Sequence, residues 1–356
     1  MGALSKILTA CVLAGSMVAS SGVMAAGKGL IGVSLPNKTE ARWVSDGSNL
    51  AQSLKDKGYD VDLQYAQYEV QTQLSQVENM LVKGVKVLVV APIDGTTMTD
   101  TLQLAKSMNI PVISYDRLIR NSPNVDYYAT FDNRQTGVLQ GKDIVEKLGL
   151  AQGKGPFTLE IFSGSLDDNN AHVVYDGVMS QLKPYIDSGK LVVRSGQVTL
   201  EQTSTLNWDG AVAQSRMDNI LSSFYANTHL DAVLAMNDAI ATGVTSSLRG
   251  IGYGSGGSAM PVITGQDAEL PNVKAIIQGN QTSTVFKDTR ALAFAAADMV
   301  DAVLAGAPVK VNDNTSYNNG IKVIPTQLLT PVLVDKSNWK NELFLKAKYY
   351  SEDQLK

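Results

Sequence analysis

From Gly29 onward, short β-branched and apolar runs alternate with longer segments whose apolar positions recur at helical spacing. GLIGVSL leads into a helix predicted from Ala41 to Lys57, YDVDLQY into one ending at Lys83, and VKVLVVA into one ending at Met108; IPVISYD follows. A run such as VKVLVV, apolar at nearly every position, suits a strand covered on both faces, and the intervening helices supply right-handed crossovers. The expected unit is therefore a doubly wound parallel sheet. The alternation then restarts with PFTLEIFSG, a helix from Asn170 to Pro184, LVVRSG, a helix through Met217 to Ser222, DAVLAM, a helix from Asp238 to Leu248, and MPVITGQD. A further helix, Asp288 to Ala305, precedes the polar stretch NDNTSYNNG and the run IKVIPTQLLTPVLV.

Two restarts and a long tail predict two α/β lobes joined by three strands of chain, crossing near Asp132, Phe286 and Gly320. The first lobe is expected to comprise residues 27–132 and 287–320, the second 133–286 and 321–356. Three parallel connections restrict such lobes to a hinge motion, whereas one linker would let them tumble.

The first 26 residues break the pattern. Lys6, the apolar stretch Ile7 to Val18 and the small residues before Ala26 read as a secretory signal peptide. Cys11 is the chain's one cysteine. The apolar run continues past it, which argues against a lipid-anchored cysteine, and cleavage after Ala26 leaves a mature chain without thiols. No later run reaches about 18 apolar residues, so nothing else in the sequence suggests a membrane anchor. The formal net charge of −4 disfavours a nucleic-acid groove, which needs a basic face.

Hydrolytic and cofactor chemistry finds little support. His172 and His229 are the two histidines and form no H-E-x-x-H pair, so no metal site is expected. Gly252, Gly254 and Gly257 match G-x-G-x-x-G only formally, since they precede a strand instead of linking strand to helix. No cofactor is expected.

The unusual residues fall just after the apolar runs, where open α/β sheets place ligands. Glu40, Arg42 and Trp43 follow the first run; Tyr115, Asp116 and Arg117 end or follow IPVIS. Asp168, Asn169, Asn170 and His172 follow LEIFSG, Trp208 precedes a helix, Asn237 and Asp238 follow DAVLAM, Gln266 and Asp267 follow PVITG, and Lys287 follows QTSTVF. Carboxylates, amides, cationic donors and indole faces together are what a hydroxylated ring demands, because several hydrogen bonds, each worth about 1.5–3 kcal/mol when one partner is charged, must replace its hydration. Singly, each residue has a plainer role: Asn237 and Asp168 can cap helices, and Asp116 with Arg117 can form a surface pair.

E-A-R-W at Glu40 to Trp43, Y-D-R at Tyr115 to Arg117, D-N-N-A at Asp168 to Ala171, N-D-A at Asn237 to Ala239 and G-Q-D-A at Gly265 to Ala268 occur in register with the strand ends. With these motifs the chain resembles the periplasmic monosaccharide-binding proteins of ABC importers, the pentose and hexose class of type I periplasmic binding proteins, and within it the xylose-binding and multiple-sugar receptors. The resemblance runs the length of the mature chain. It implies a periplasmic, monomeric, non-enzymatic receptor whose ligand is a monosaccharide, with an importer permease as partner and a chemoreceptor or sensor kinase as a further candidate. It also implies that Arg42, Asp116, Arg117, Asn170, Asn237, Asp267 and Lys287 hydrogen-bond the sugar while Trp43 and Trp208 flank its ring; Asn169 and His172 complete the candidate set. The sugar itself stays open among xylose, glucose, galactose and arabinose. A sugar-active enzyme on the same architecture would need an acid–base carboxylate pair, which Asp116 and Asp267 could form across a cleft. A transcription regulator would need its DNA-binding helices where the export signal lies.

Overall fold

A computed structural model describes residues 27–255 and 258–355. The expected signal peptide, residues 1–26 with Cys11, lies outside the described residues, as does Gly257 of the glycine-rich loop. Among those described, no helix is long and apolar enough to cross a membrane.

Six strands form the first sheet: β1 (Leu30–Leu35), β2 (Asp60–Tyr65), β3 (Val87–Val90), β4 (Val112–Tyr115), β5 (Tyr127–Phe131) and, from far along the chain, β11 (Thr326–Leu329). Their order is β11-β5-β4-β3-β1-β2 and every pairing is parallel. All four residues of β3 are fully buried, as a strand covered on both faces requires. On one face α1 (Ala41–Asp56) packs Trp43, Leu50 and Leu54 beside Leu292, Ala296 and Val300 of α10 (Thr289–Ala305). On the other, α2 (Val70–Val82) and α3 (Thr99–Ser107) bring Val77, Met80, Leu102 and Ala105 onto Leu88 and Val90.

The second sheet contains β6 (Phe157–Phe162), β7 (Leu191–Val192), β8 (Ala232–Ala235) and β9 (Val262–Ile263), in the parallel order β7-β6-β8-β9. A bridge between Gln266 and Val285 continues it towards an antiparallel pair, β10 (Ser283–Phe286) with β12 (Val332–Asp335). Around it lie α4 (Asn133–Leu148), α5 (Asn169–Asp187), the short α6 (Leu200–Thr203), α7 (Gly210–Phe224), α8 (Asp238–Gly250) and α9 (Leu270–Gln278). Helices α4 and α5 cross at two glycines: a Cβ on Gly137 would collide with the Val174 carbonyl and one on Gly177 with the Arg134 carbonyl, so the backbones themselves touch.

The chain leaves the first sheet after β5, returns to it after β10 and leaves again between β11 and β12. This last crossing, at Thr330 and Pro331, corrects the boundary expected near Gly320. IKVIPTQLLTPVLV is two strands, and β11 pairs with β5 while β12 pairs with β10. Pro331 lacks the N–H that a continuous ladder would use. The tail then buries Leu343 and Leu355 against Val273, Phe286 and Val334. It also reaches back over the hinge, where Arg290 donates to the carbonyls of Ala347 (2.7 Å) and Lys348 (2.9 Å).

Candidate functional site

Residues just beyond the carboxyl ends of β1, β4, β6, β8 and β10, together with those after β9 and just before α7, line one cavity: Glu40, Arg42, Trp43, Asp116, Arg117, Asp168, Asn170, Trp208, Asn237, Gln266, Asp267 and Lys287. The two sheets close so tightly that about 20 Å³ remains between these side chains, the room of roughly one water. Charge is packed directly against charge.

Arg42 stands in the first turn of α1. Its Nε donates to Asp46 Oδ2 (3.1 Å), Nη2 pairs with Asp116, and Nη1 reaches across to Asp267 Oδ1 (3.5 Å). The guanidinium lies 4.6 Å from the Trp43 ring centre, with that of Arg117 5.2 Å away, both within cation–π range. Arg117 Nε in turn meets Asp168 Oδ2 of the opposite sheet at 3.0 Å, and Lys287 Nζ meets Asp267 Oδ1 at 2.8 Å. Asp168 does three jobs. It caps α5 by accepting from Asn170 N (2.9 Å), it accepts from Trp208 Nε1 (3.2 Å), and it receives Arg117.

Backbone geometry aims several of these groups. Asp116, Trp208 and Asp267 have φ of 58°, 59° and 95°, a region non-glycine residues seldom occupy and one that concentrates at functional sites. Asp116 is held there because its carbonyl accepts from Tyr128 Oη (2.5 Å), Thr130 Oγ1 (2.8 Å) and Asn170 Nδ2 (3.0 Å). Asn207, before Trp208, also has positive φ (55°) and is tied by its N–H to Ser165 Oγ at 3.0 Å. Gly164 then lets the Trp208 indole lie on bare backbone.

The electrostatics follow from burial opposed by pairing. Burial raises Asp116, but Arg42, Lys287 and Arg117 outweigh it and hold the carboxyl below its usual range. At Asp46 burial wins over Arg42, and the group sits at about 6. Glu269, beside the cavity, is pushed to about 7 by burial, then by Asp267 and Glu40. Burial, then the carboxylates of Glu269 and Asp267, lift Asp238 well above its ordinary value.

Nine of the eleven candidates meet here: Arg42, Trp43, Asp116, Arg117, Asn170, Trp208, Asn237, Asp267 and Lys287. Asn237 both lines the cavity and caps α8 through Ile240 N (2.9 Å), so the capping and pocket roles coexist. Asn169 and His172 are not among the lining residues. Asn169 opens α5 beside the buried Asn170, and His172 Nε2 lies 3.0 Å from the Leu166 carbonyl. Glu40, Asp168 and Gln266, noted at strand ends but not assigned to a ligand, do line the cavity; the buried Gln266 Oε1 and Trp43 Nε1 have no hydrogen-bond partner. Asp46 escaped sequence reasoning, although its i,i+4 spacing from Arg42 was a usable signal, as did Tyr68, whose hydroxyl donates to the cavity-lining Glu40 Oε1 at 2.6 Å. No cluster of metal-ligating side chains occurs among the described residues.

A family model described as "Periplasmic binding protein domain" matches residues 31–308. The multiple sugar-binding periplasmic receptor ChvE of Rhizobium radiobacter is 55% identical over 349 residues, covering 98% of each chain. The D-xylose-binding periplasmic protein of Escherichia coli K12 is 36% identical over 327 residues, covering 91% of this chain and 92% of its own. Among solved structures, an ABC transporter solute-binding protein from Clostridium phytofermentans with bound β-D-glucose superposes with a TM-score of 0.88 at 51% identity, covering 92% of this chain and all of that one. On the matched domain, these relatives and the shared two-sheet architecture, the chain belongs to the periplasmic binding protein family.

Proposed function

We propose that this protein is an exported receptor that captures a monosaccharide between its two sheets and presents it to an ABC importer without chemically altering it. The observation that carries this reading is the convergence of guanidinium, ammonium, carboxylate, amide and indole groups from both sheets on one cavity. The resemblance to sugar and xylose receptors and to a glucose-bound solute-binding protein supports it.

In the closed arrangement the charged groups pair with one another, while Trp43 Nε1 and Gln266 Oε1 are left without a partner. A sugar enters by opening the hinge and replaces the inter-sheet pairs Arg117–Asp168 and Arg42–Asp267 with its hydroxyls, each of which donates to a carboxylate and accepts from a cation. The indoles of Trp43 and Trp208 take the apolar C–H faces of the ring. Bound ligand favours closure through the contacts it makes with both sheets at once, and the closed surface is what a permease, and a chemoreceptor or sensor kinase where one exists, would read. Cleavage after Ala26 delivers the mature chain to the periplasm.

A thermal-shift screen of glucose, galactose, xylose and arabinose tests the reading. A ligand at 1,000 times its Kd adds about 4.1 kcal/mol of stability, so at least one aldose should raise the melting temperature by several degrees. Unchanged melting with every aldose would refute it, and NMR showing sugar converted to product would establish an enzyme instead.

A further inference from the structure

Most of the cavity's charged groups face the ligand space. Asp46 does not line it, yet it is fully buried, and its carboxylate is shared between two elements that deliver ligand-binding groups. Oδ2 accepts Arg42 Nε (3.1 Å) one turn back along α1, and Oδ1 accepts the hydroxyl of Tyr115, the last residue of β4, itself fully buried. The next residue after Tyr115 is Asp116, the partner of Arg42 on the other side of its guanidinium.

The helix has no slack at this point. A Cβ on Gly47, adjacent to Asp46, would come within 3.0 Å of Leu35 Cδ1 and collide with the Tyr65 hydroxyl, so α1 is seated directly on β1 and β2. A guanidinium is planar with donors fixed in a fork. Holding Nε on a carboxylate that cannot move therefore leaves the two terminal nitrogens pointing in set directions, one to Asp116 and one to Asp267. A buried carboxylate costs stability unless its hydrogen bonds compensate, and both partners of Asp46 belong to the arm of the site.

We infer that Asp46, backed by the Tyr115 hydroxyl, is a positioning residue that acts on the ligand solely through Arg42, fixing the guanidinium plane presented to the sugar. The inference rests on the sugar-receptor reading and concerns affinity.

The test is a double-mutant cycle by titration calorimetry with the best-bound aldose: wild type, Asp46→Asn, Arg42→Ala and the double variant. Asp46→Asn keeps size and one acceptor but loses the charge that orients Nε, and should weaken binding about tenfold or more. In the Arg42→Ala background the same change should cost less than about twofold, because its route to the ligand is gone. The ligand-free melting temperature of Asp46→Asn should stay within a few degrees of wild type, separating positioning from a general loss of fold. Wild-type affinity in Asp46→Asn, or losses that simply multiply in the double variant, would overturn the inference. Should Asp46→Asn fail to fold, Tyr115→Phe in the same cycle removes the supporting donor; it should weaken binding by about threefold or more with Arg42 present and leave affinity unchanged without it, and equal losses in both backgrounds would overturn the inference. A wild-type protein that binds no aldose defeats the sugar-receptor reading, whereas binding untouched by Asp46→Asn or Tyr115→Phe defeats this inference alone.

Discussion

Gly164→Ala places one methyl group where the site tolerates none. The new Cβ would lie within 2.6 Å of three indole carbons of Trp208, against the roughly 3.5–4.0 Å of ordinary carbon contact. Neither side yields easily. Gly164 follows β6 and donates its N–H to Met236 Sδ, while Trp208 is buried and held at positive φ. The ring must therefore shift by about 1 Å, which breaks the 3.2 Å hydrogen bond from Nε1 to Asp168 and moves the face offered to the sugar. Loss of a hydrogen bond to a charged group is worth about 1.5–3 kcal/mol. With part of the ring contact gone, the expected cost is about 2–3 kcal/mol, or about 30- to 150-fold in Kd. Titration calorimetry reads this directly, and far-UV circular dichroism checks that the variant is folded. Affinity within twofold of wild type would show that Trp208 does not need this seat and that its ring takes no part in binding.

Arg117→Ala removes a cation that meets Asp168 from the opposite sheet and should weaken sugar binding tenfold or more by calorimetry; unchanged affinity removes Arg117 from the site. Glu269 holds its proton up to about 7 in the folded protein, from an ordinary 4.5. Its contribution to stability is therefore complete below pH 4.5 and falls as pH rises through about 7. Glu269→Gln abolishes that slope, so the melting temperature of the variant relative to wild type should climb across this window; a constant difference contradicts the assignment. Gly177→Ala forces apart the α4–α5 crossing and should destabilise by about 1–3 kcal/mol or more, seen as a lower denaturation midpoint.

The elements and cavity-lining residues that were legible in the sequence share a physical signature. Strands β1, β3, β4, β6 and β8 are apolar runs ended by polar residues, so both the sheets and most of the residues lining the cavity were visible as one pattern. Helix α4 was not anticipated because Asn133, Thr136, Gly137, Gln140, Gly141 and Asp143 share its buried face and interrupt the apolar positions Val138, Ile144 and Leu148. Gln140 donates its amide to the carbonyls of Met236 and Gly265, both at 3.0 Å. Strand β5, YYATF, lacked the continuous apolar run. The division of the last run between two sheets is decided by partners far away in sequence, which local pattern does not encode. The position of His172 was not legible for a related reason. Proximity to a strand end does not determine which side of a helix faces the cleft, and one turn into α5 the ring lies beside the Leu166 carbonyl.

Two of the chain's three tryptophans, Trp43 and Trp208, line the cavity, which makes intrinsic fluorescence the most direct probe of whether a sugar binds between the two sheets. Titration of the protein with its preferred aldose should give a saturable emission change at one sugar per chain, abolished in Trp208→Phe/Trp43→Phe and shifted to much higher concentration in Arg117→Ala. Emission that never responds to a sugar whose binding calorimetry detects would place the ligand elsewhere and contradict the account.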